Sequence, residues 1–223
     1  MQLDKIAPPG FPDITWSPVI DPVIQSPLYR RRSLLFKRAA DLLISTLLFI
    51  PLILILPFLA AWIKLGSRGP VFFLQQRHKR NGSVFTCFKL RTMEMTSNGS
   101  RVTRQGKWLR KYHLDEWPQL LNVWWGDMSI VGPRPHMISD NDKFGRLVDN
   151  YMIRHTVKPG ITGLAQVRGH IGPIRTPADI HRRVRDDIHY IRNWSPSLDL
   201  RIFLLSLFQL KYKDHHTKEA DSN

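Results

Sequence analysis

LLISTLLFIPLILILPFLAAWI, residues 42–63, runs for 22 residues without a charged side chain. A helix rises about 1.5 Å per residue, so this run reaches about 33 Å, enough to cross a hydrocarbon core of about 30 Å. Two features argue against a simple crossing. Pro51 lies near the centre of the run and Pro57 follows, and an internal proline removes a backbone hydrogen bond and kinks or breaks a helix. Both flanks are also basic, with Arg30, Arg31, Arg32, Lys37 and Arg38 before the run and Lys64, Arg68, Arg77, Lys79 and Arg80 after it. Positive flanks favour the cytoplasmic side, and a crossing helix has to export one of the two clusters. A helix bent at Pro51 that enters and leaves by the same face avoids this, and it is the expectation preferred to a span. The break frees a carbonyl near Leu47, which the Ser45 or Thr46 hydroxyl is placed to satisfy.

Working outward, the 223 residues carry 33 Lys or Arg against 18 Asp or Glu, a formal charge of +15. The partners implied are anionic: nucleic acid, acidic lipid or a phosphorylated substrate. A hydrophobic share of 43% with 16 Pro and 13 Gly excludes a collagenous, wholly disordered or multi-pass membrane chain. The single cysteine, Cys87, excludes an intramolecular disulfide framework and a four-thiolate zinc site. Residues 1–29 hold Pro8, Pro9, Pro12, Pro18, Pro22 and Pro27 and read as an extended arm, and the apolar run begins too late for a cleaved signal peptide. The polar end, KDHHTKEADSN at 213–223, is expected to fray.

Val71–Leu74 and Val84–Leu90 read as two β segments joined by a basic turn containing Asn81-Gly82, a hairpin-like unit. From Gly106 the pattern turns helical, with an apolar stripe of Trp108, Leu109 and Tyr112 continued after Pro118 by Leu120, Leu121, Trp124 and Trp125. A third apolar stretch, IFLLSLFQL at 202–210, is too short to span. Trp117, Trp124, Trp125 and Trp194 suit either an ordinary core or a membrane interface, where an indole buries its rings and keeps its N–H wet.

From Lys64 to Leu114 the chain is rich in Lys and Arg and holds one acid, Glu94; Asp115 and Glu116 then arrive together. Such a field keeps carboxylates ionised. Pro118 places Asp115 near a helix N-terminus, which leaves two readings: a helix cap, or a nucleophile or base that binds a hard cation such as Mg²⁺. In Gly132-Pro133-Arg134-Pro135 the arginine stands between two rings of fixed φ, which reads either as a presented diphosphate clamp or as a solvated turn. Lys89 and Arg91 alternate at the end of a β segment, hence on one face, toward a common anion or toward water.

Together these pieces resemble the bacterial sugar transferases, the monotopic polyprenyl-phosphate phosphoglycosyl transferases. The resemblance runs from about Lys37 to Leu210. It rests on KRAADLL at 37–43, GPVFFLQQR at 69–77, FKLRTM at 88–93, LRKYHLDEWPQLLNVWWGDMSIVGPRP at 109–135, VKPGITGLAQV at 157–167 and YIRNWSPSLDL at 190–200. It implies a helix-rich α/β protein: a proline-rich arm over 1–33, a re-entrant membrane helix over 34–65, a small cytoplasmic catalytic domain with interfacial amphipathic helices over 66–212, and a polar tail over 213–223.

The implied activity moves a sugar 1-phosphate from a nucleoside diphosphate sugar, usually a UDP-sugar, to polyprenyl (undecaprenyl) phosphate, at the start of surface glycan or exopolysaccharide synthesis. It places the enzyme at the cytoplasmic face of the bacterial inner membrane, with no nucleic acid as partner. By motif position Asp115 is the nucleophile and forms an aspartyl phosphosugar, and Glu116 assists. Mg²⁺ sits with Asp115 and the diphosphate, while Lys89, Arg110 and Arg134, and more weakly Arg91, hold phosphate. The chain departs from the family pattern at Ile50-Pro51 where Ser-Pro is usual, at Arg168-Gly169-His170 after AQV, and in the short link from Met93 to Val102. Two rivals remain: a basic membrane-attached binder of nucleic acid or acidic lipid, which predicts graded loss with each lysine removed, and an inactive scaffold, which tolerates Asp115→Asn.

Overall fold

The computed structural model describes residues 25–97 and 99–220, with the side chains of 209–220 excepted. The arm expected over 1–33 therefore falls mostly outside the described residues. Its last stretch does not float: Leu28 is buried in a short 3₁₀ turn, Pro27–Tyr29, and the Ser26 hydroxyl donates to the Ile191 carbonyl.

Helix α1, Arg31–Gly66, contains the apolar run. Helical structure continues through Pro51 and Pro57 in a single 36-residue segment. A proline removes one donor from the ladder, and a 36-residue helix has enough remaining bonds to carry on past it. The Ser45 hydroxyl donates back to the Leu42 carbonyl rather than to one near Leu47. Among the described residues α1 is the one helix long and apolar enough to cross a membrane, and Leu43, Leu47, Ile50, Ile53, Leu54 and Phe58 on it are exposed.

The remaining elements are small. The hairpin pairs β1, Phe72–His78, with β2, Val84–Leu90, antiparallel from Phe72 opposite Leu90 to His78 opposite Val84. Its first strand runs four residues beyond Leu74, and Asn81 takes the left-handed conformation (φ 61°) that the turn demands. A second hairpin joins β3, Met93–Thr96, to β4, Gly99–Val102. Helices α2, Arg104–Lys111, and α3, Gln119–Trp125, bracket a 3₁₀ turn at Leu114–Glu116. Strand β5, Ser129–Val131, pairs in parallel with β6, Gly160–Thr162, with helix α4, Ile138–Gly145, and a 3₁₀ segment, Tyr151–Thr156, between them. Helices α5, Leu164–Val167, α6, Pro177–Arg192, and α7, Pro196–Ala220, complete the chain. The backbone of α7 takes in most of the segment expected to fray.

One core joins Leu52 of α1, Phe85 and Cys87 of β2, Leu120 and Val123 of α3, Ile130 and Val131 of β5, Tyr190 and Ile191 of α6 and Ile202 of α7. A smaller cluster packs Leu59 and Ile63 of α1 on Leu90 and Leu109. The amino-terminal part of α1 is held differently, by polar contacts. Lys37 pairs with Asp199 at 2.6 Å and donates to the Val131 carbonyl, Arg38 donates to the Val123 and Trp124 carbonyls, and Asp41 accepts from Ser129 and the Ile130 N–H. Both ends of α1 thus rest on one domain. The tryptophans divide between the two readings given above: Trp194 is buried and Trp117 packs against the core, while Trp124 and Trp125 are more than half exposed.

Candidate active site

The turn carrying Asp115 and Glu116 starts from a left-handed residue, His113 (φ 53°), which reverses the chain out of α2. Histidine tolerates this region better than a β-branched residue would. Asp115 is therefore not the cap of α3; Pro118 holds that position, and the carboxylates stand on the preceding 3₁₀ turn.

Glu116 is buried and fully engaged. Its Oε1 lies 2.9 Å from Lys89 Nζ, and Arg134 reaches it with both terminal nitrogens, Nη1 to Oε2 at 2.9 Å and Nη2 to Oε1. Burial pushes its carboxyl up, but the charges and hydrogen bonds of Arg134 and Lys89 outweigh burial and hold it well below the usual carboxylate range. Reciprocally, Glu116 holds the Arg134 guanidinium above its ordinary value against the opposing effect of burial.

Asp115 is the opposite case. Among the described residues its side chain forms no ion pair and no hydrogen bond to another side chain, and the polar group it meets is its own backbone N–H. Burial, and then the Glu116 charge, raise its carboxyl above the ordinary aspartate value, with Lys89 and Arg110 pulling the other way. The basic field expected to keep it fully ionised is thus partly cancelled by desolvation and by its neighbour, because Glu116 claims Lys89 and Arg134. An uncommitted, more basic carboxylate follows.

The predicted residues separate into two places. Lys89, Arg110, Asp115, Glu116 and Arg134 come together; Arg110 lies within electrostatic reach of Asp115 and is anchored by donating Nε to the Thr92 hydroxyl at 2.9 Å. Arg91 does not join them. Its guanidinium donates to the Ser67 and Arg68 carbonyls, tying the loop after α1 to the hairpin. Arg91 follows the last residue of β2, and its side chain is drawn to these carbonyls rather than to the site.

The supporting groups were not legible in the sequence. Asn122 on α3 is fully buried and behaves like a strand edge: its Oδ1 accepts from the Phe88 N–H at 3.1 Å and its Nδ2 donates to the Thr86 carbonyl at 2.7 Å, which fixes β2 beside Lys89. The Pro-Arg-Pro loop is gripped through two successive carbonyls. Arg154 Nη2 donates to the Arg134 carbonyl at 2.7 Å, and Arg77 Nη1 donates to the Pro135 carbonyl at 3.0 Å. Behind the loop Arg154 forms an ion pair of 2.9 Å with Asp187, both about 3% exposed, and meets His136 and Tyr151. Burial pushes the Asp187 carboxyl up to about 6, against the pull of Arg154. Gly160 makes the packing possible, since a Cβ there would lie 2.1 Å from the Gly132 nitrogen. Asn122 carries a signal as an isolated polar residue inside the apolar stretch LLNVWW, whereas Arg77 and Asp187 lie among other charged residues that hide them.

No cluster of three or more metal-binding side chains occurs among the described residues. The donor set still fits a magnesium ion of one kind: Asp115 offers free carboxylate oxygens, and Mg²⁺ is commonly held by one or two carboxylates with substrate phosphates completing its shell.

Residues 32–212 match the model of a family described as bacterial sugar transferase. The chain is 42% identical, over 88% of its length, to a UDP-glucose:undecaprenyl-phosphate glucose-1-phosphate transferase of Klebsiella pneumoniae, and covers 44% of that relative. It is 42% identical over 85% of its length to a Caulobacter vibrioides protein of the same name, covering 74% of it. An exopolysaccharide production protein of Rhizobium leguminosarum bv. phaseoli is 40% identical over 76% of the chain, which covers 92% of that protein. The chain spans under half the length of the first of these.

Proposed function

The chain belongs to the bacterial sugar transferase family, and we propose that it transfers a sugar 1-phosphate from a UDP-sugar to undecaprenyl phosphate through a covalent intermediate on Asp115. The observation that carries this reading is the contrast within the carboxylate pair: Glu116 is neutralised by two cations, and Asp115 beside it is free and more basic than an ordinary aspartate. The relatives' names supply the substrate class; glucose 1-phosphate and an N-acetylgalactosamine phosphate both occur among them, so the sugar is left to experiment.

In this reading an Asp115 oxygen attacks the β-phosphorus of the donor. The bond from that phosphorus to the bridging oxygen breaks, and UMP leaves with the oxygen. An oxygen of the lipid phosphate then attacks the same phosphorus and Asp115 departs as a carboxylate, leaving a lipid diphosphate sugar. Phosphoryl transfer needs charge neutralisation and alignment more than acid and base groups. Arg134, whose side chain is 39% exposed, keeps an edge open to an arriving phosphate while Glu116 fixes its plane. Lys89 and Arg110 supply further positive charge on the approach. Magnesium, held by Asp115 and the diphosphate, would supply additional neutralisation of the phosphate oxygens. The two-step route suits one substrate that arrives from water and another that stays in lipid.

The membrane reading has its own support. Both ends of α1 pack on the same domain, the first by Lys37, Arg38 and Asp41 and the last by Leu59 and Ile63. This supports reading α1 as re-entrant, with both ends on one side of the bilayer, and the two basic flanks favour the cytoplasmic side for the domain. The test is UMP release from a panel of UDP-sugars with undecaprenyl phosphate and Mg²⁺, together with mass spectrometry of protein treated with donor alone. A phosphosugar adduct on Asp115 is expected. Turnover without any aspartyl adduct, or a requirement for both substrates before UMP appears, overturns the mechanism.

A further inference from the structure

At the opposite end of α3 from the carboxylate turn, one cation has no acceptor. Lys158, half-buried just before β6, takes part in no hydrogen bond or ion pair among the described residues. It stands beside a second cation. Gly126, the left-handed cap of α3 (φ 90°), leaves a gap in which an added Cβ would lie 3.3 Å from Lys158 Nζ and 3.7 Å from Arg38 Cζ. The two cationic groups are therefore within about 7 Å of each other, a span that the oxygens of one phosphate bridge with a hydrogen bond to each side.

The surrounding charges do not cancel this pair. Arg80 adds a third positive charge within reach of Lys158. Of the nearby acids, Asp127 is paired with Lys79 at 2.5 Å, and Asp41, held by Ser129 and the Ile130 N–H, pulls on Lys158 less strongly than burial and Arg38 oppose its charge. Burial, and then Arg38, lower the pKa of the Lys158 ammonium, so the protein pays to keep it there. The carbonyl end of α3, which would repel an anion, is already covered by the Arg38 donors.

The level of the cluster indicates what brings the anion. Arg38 stands one helical turn before Leu42, the first residue of the apolar run, and Leu43 and Leu47 beyond it are exposed. Trp124 and Trp125, immediately before Gly126, are exposed by 54% and 58%, and indoles concentrate at the membrane–water boundary.

We propose that Lys158 and Arg38, flanked by Trp124 and Trp125, form a binding site for the phosphate of an anionic phospholipid headgroup. The site rests on the membrane reading given above and uses none of the residues of the carboxylate site. It fixes the height and tilt of the domain on the bilayer by one defined contact instead of by diffuse positive charge.

The test is native mass spectrometry of the full chain released from micelles holding equal amounts of phosphatidylglycerol and phosphatidylcholine. The wild type retains phosphatidylglycerol preferentially. Lys158→Gln loses about fivefold of that preference, the scale of one lysine at an anionic surface, and Lys158→Arg keeps it. Because the ammonium has no protein partner, Lys158→Gln also leaves the thermal midpoint unchanged or higher. An undiminished preference in Lys158→Gln, or a midpoint lowered by several degrees, overturns the site. So does loss of the wild-type preference on adding inorganic phosphate alone, which identifies a soluble anion, or Lys158-dependent retention of undecaprenyl phosphate and not phosphatidylglycerol, which identifies the acceptor. Lipid retention requires neither donor nor turnover, so failure here and failure of the proposed reaction are separate results.

Discussion

Two polar networks anchor this domain, and they are built to different ends. The one at the start of α1 is closed: Lys37 meets Asp199, Tyr190 donates to Asp199 at 2.7 Å, and Asp41 accepts from Ser129 and the Ile130 N–H. Every charge has a partner, and the result is a fixed helix. The network around Glu116 is open, because two cations converge on one carboxylate and leave its neighbour Asp115 without an ion pair. A closed network holds structure; an open one leaves a carboxyl desolvated and without a cation of its own.

Asp115→Asn puts that contrast to its hardest test. UMP release should fall by about 10³-fold or more, the scale seen when a covalent nucleophile is removed. The fold should be undisturbed, since Asp115 has no ion pair to lose and an amide oxygen can still accept from its own backbone N–H, so an unchanged thermal midpoint beside lost turnover is the expected result. A variant with wild-type turnover would move the nucleophile elsewhere.

Glu116→Gln should cost turnover about 10²-fold and also stability, by about 3 kcal/mol, because it leaves Lys89 and Arg134 facing a neutral amide in a largely buried position. The acid side of the pH–rate profile is a sharper measure. Asp115 must be ionised to attack, and its raised carboxyl places the acid limb above the ordinary aspartate value of about 3.9. Removing the Glu116 charge should move that limb to lower pH; a move upward contradicts the assignment.

Asp199→Asn should leave the chemistry nearly intact and loosen α1, lowering stability by about 2 kcal/mol in denaturant titrations, because Lys37 loses its anion in a mostly buried place. Behind the Pro-Arg-Pro loop the effect is on pH dependence. With Asp187 near 6 in the native chain and near 3.9 unfolded, the native state alone holds that proton between the two values. This contribution to stability is full below about 4 and is lost as pH rises through about 6. Asp187→Asn should remove it, so the stability difference between wild type and variant, followed by thermal melts from pH 4 to 7, should change across that window. The smallest effect belongs to Arg91→Gln, which should leave kcat/KM within about threefold, because its donors serve the loop after α1 and not the site.

The resemblance and the local chemistry of the sequence located the carboxylate pair, Lys89, Arg110 and Arg134, because each lies within a short motif whose residue types suit phosphate. Asn122, Arg154 and Asp187 were not legible in the same way. Each acts on a partner far along the chain: Asn122 on Thr86 and Phe88, Arg154 on Arg134, Asp187 on Arg154. The misplacement of Arg91 has a related cause, since the carbonyls of Ser67 and Arg68 that take its guanidinium lie more than twenty residues away in the chain.

What the sequence by itself determined was the apolar helix, the β1–β2 hairpin and the chemical character of the site, because periodicity, a turn dipeptide and uncancelled charge are local properties of the chain. Only the tertiary structure decided which cations neutralise which acid. Electrostatic pairing depends on distance and burial, and those follow from how α1, the hairpin and the Pro-Arg-Pro loop pack together. That packing assigned Glu116 to Lys89 and Arg134, left Asp115 free, and sent Arg91 elsewhere.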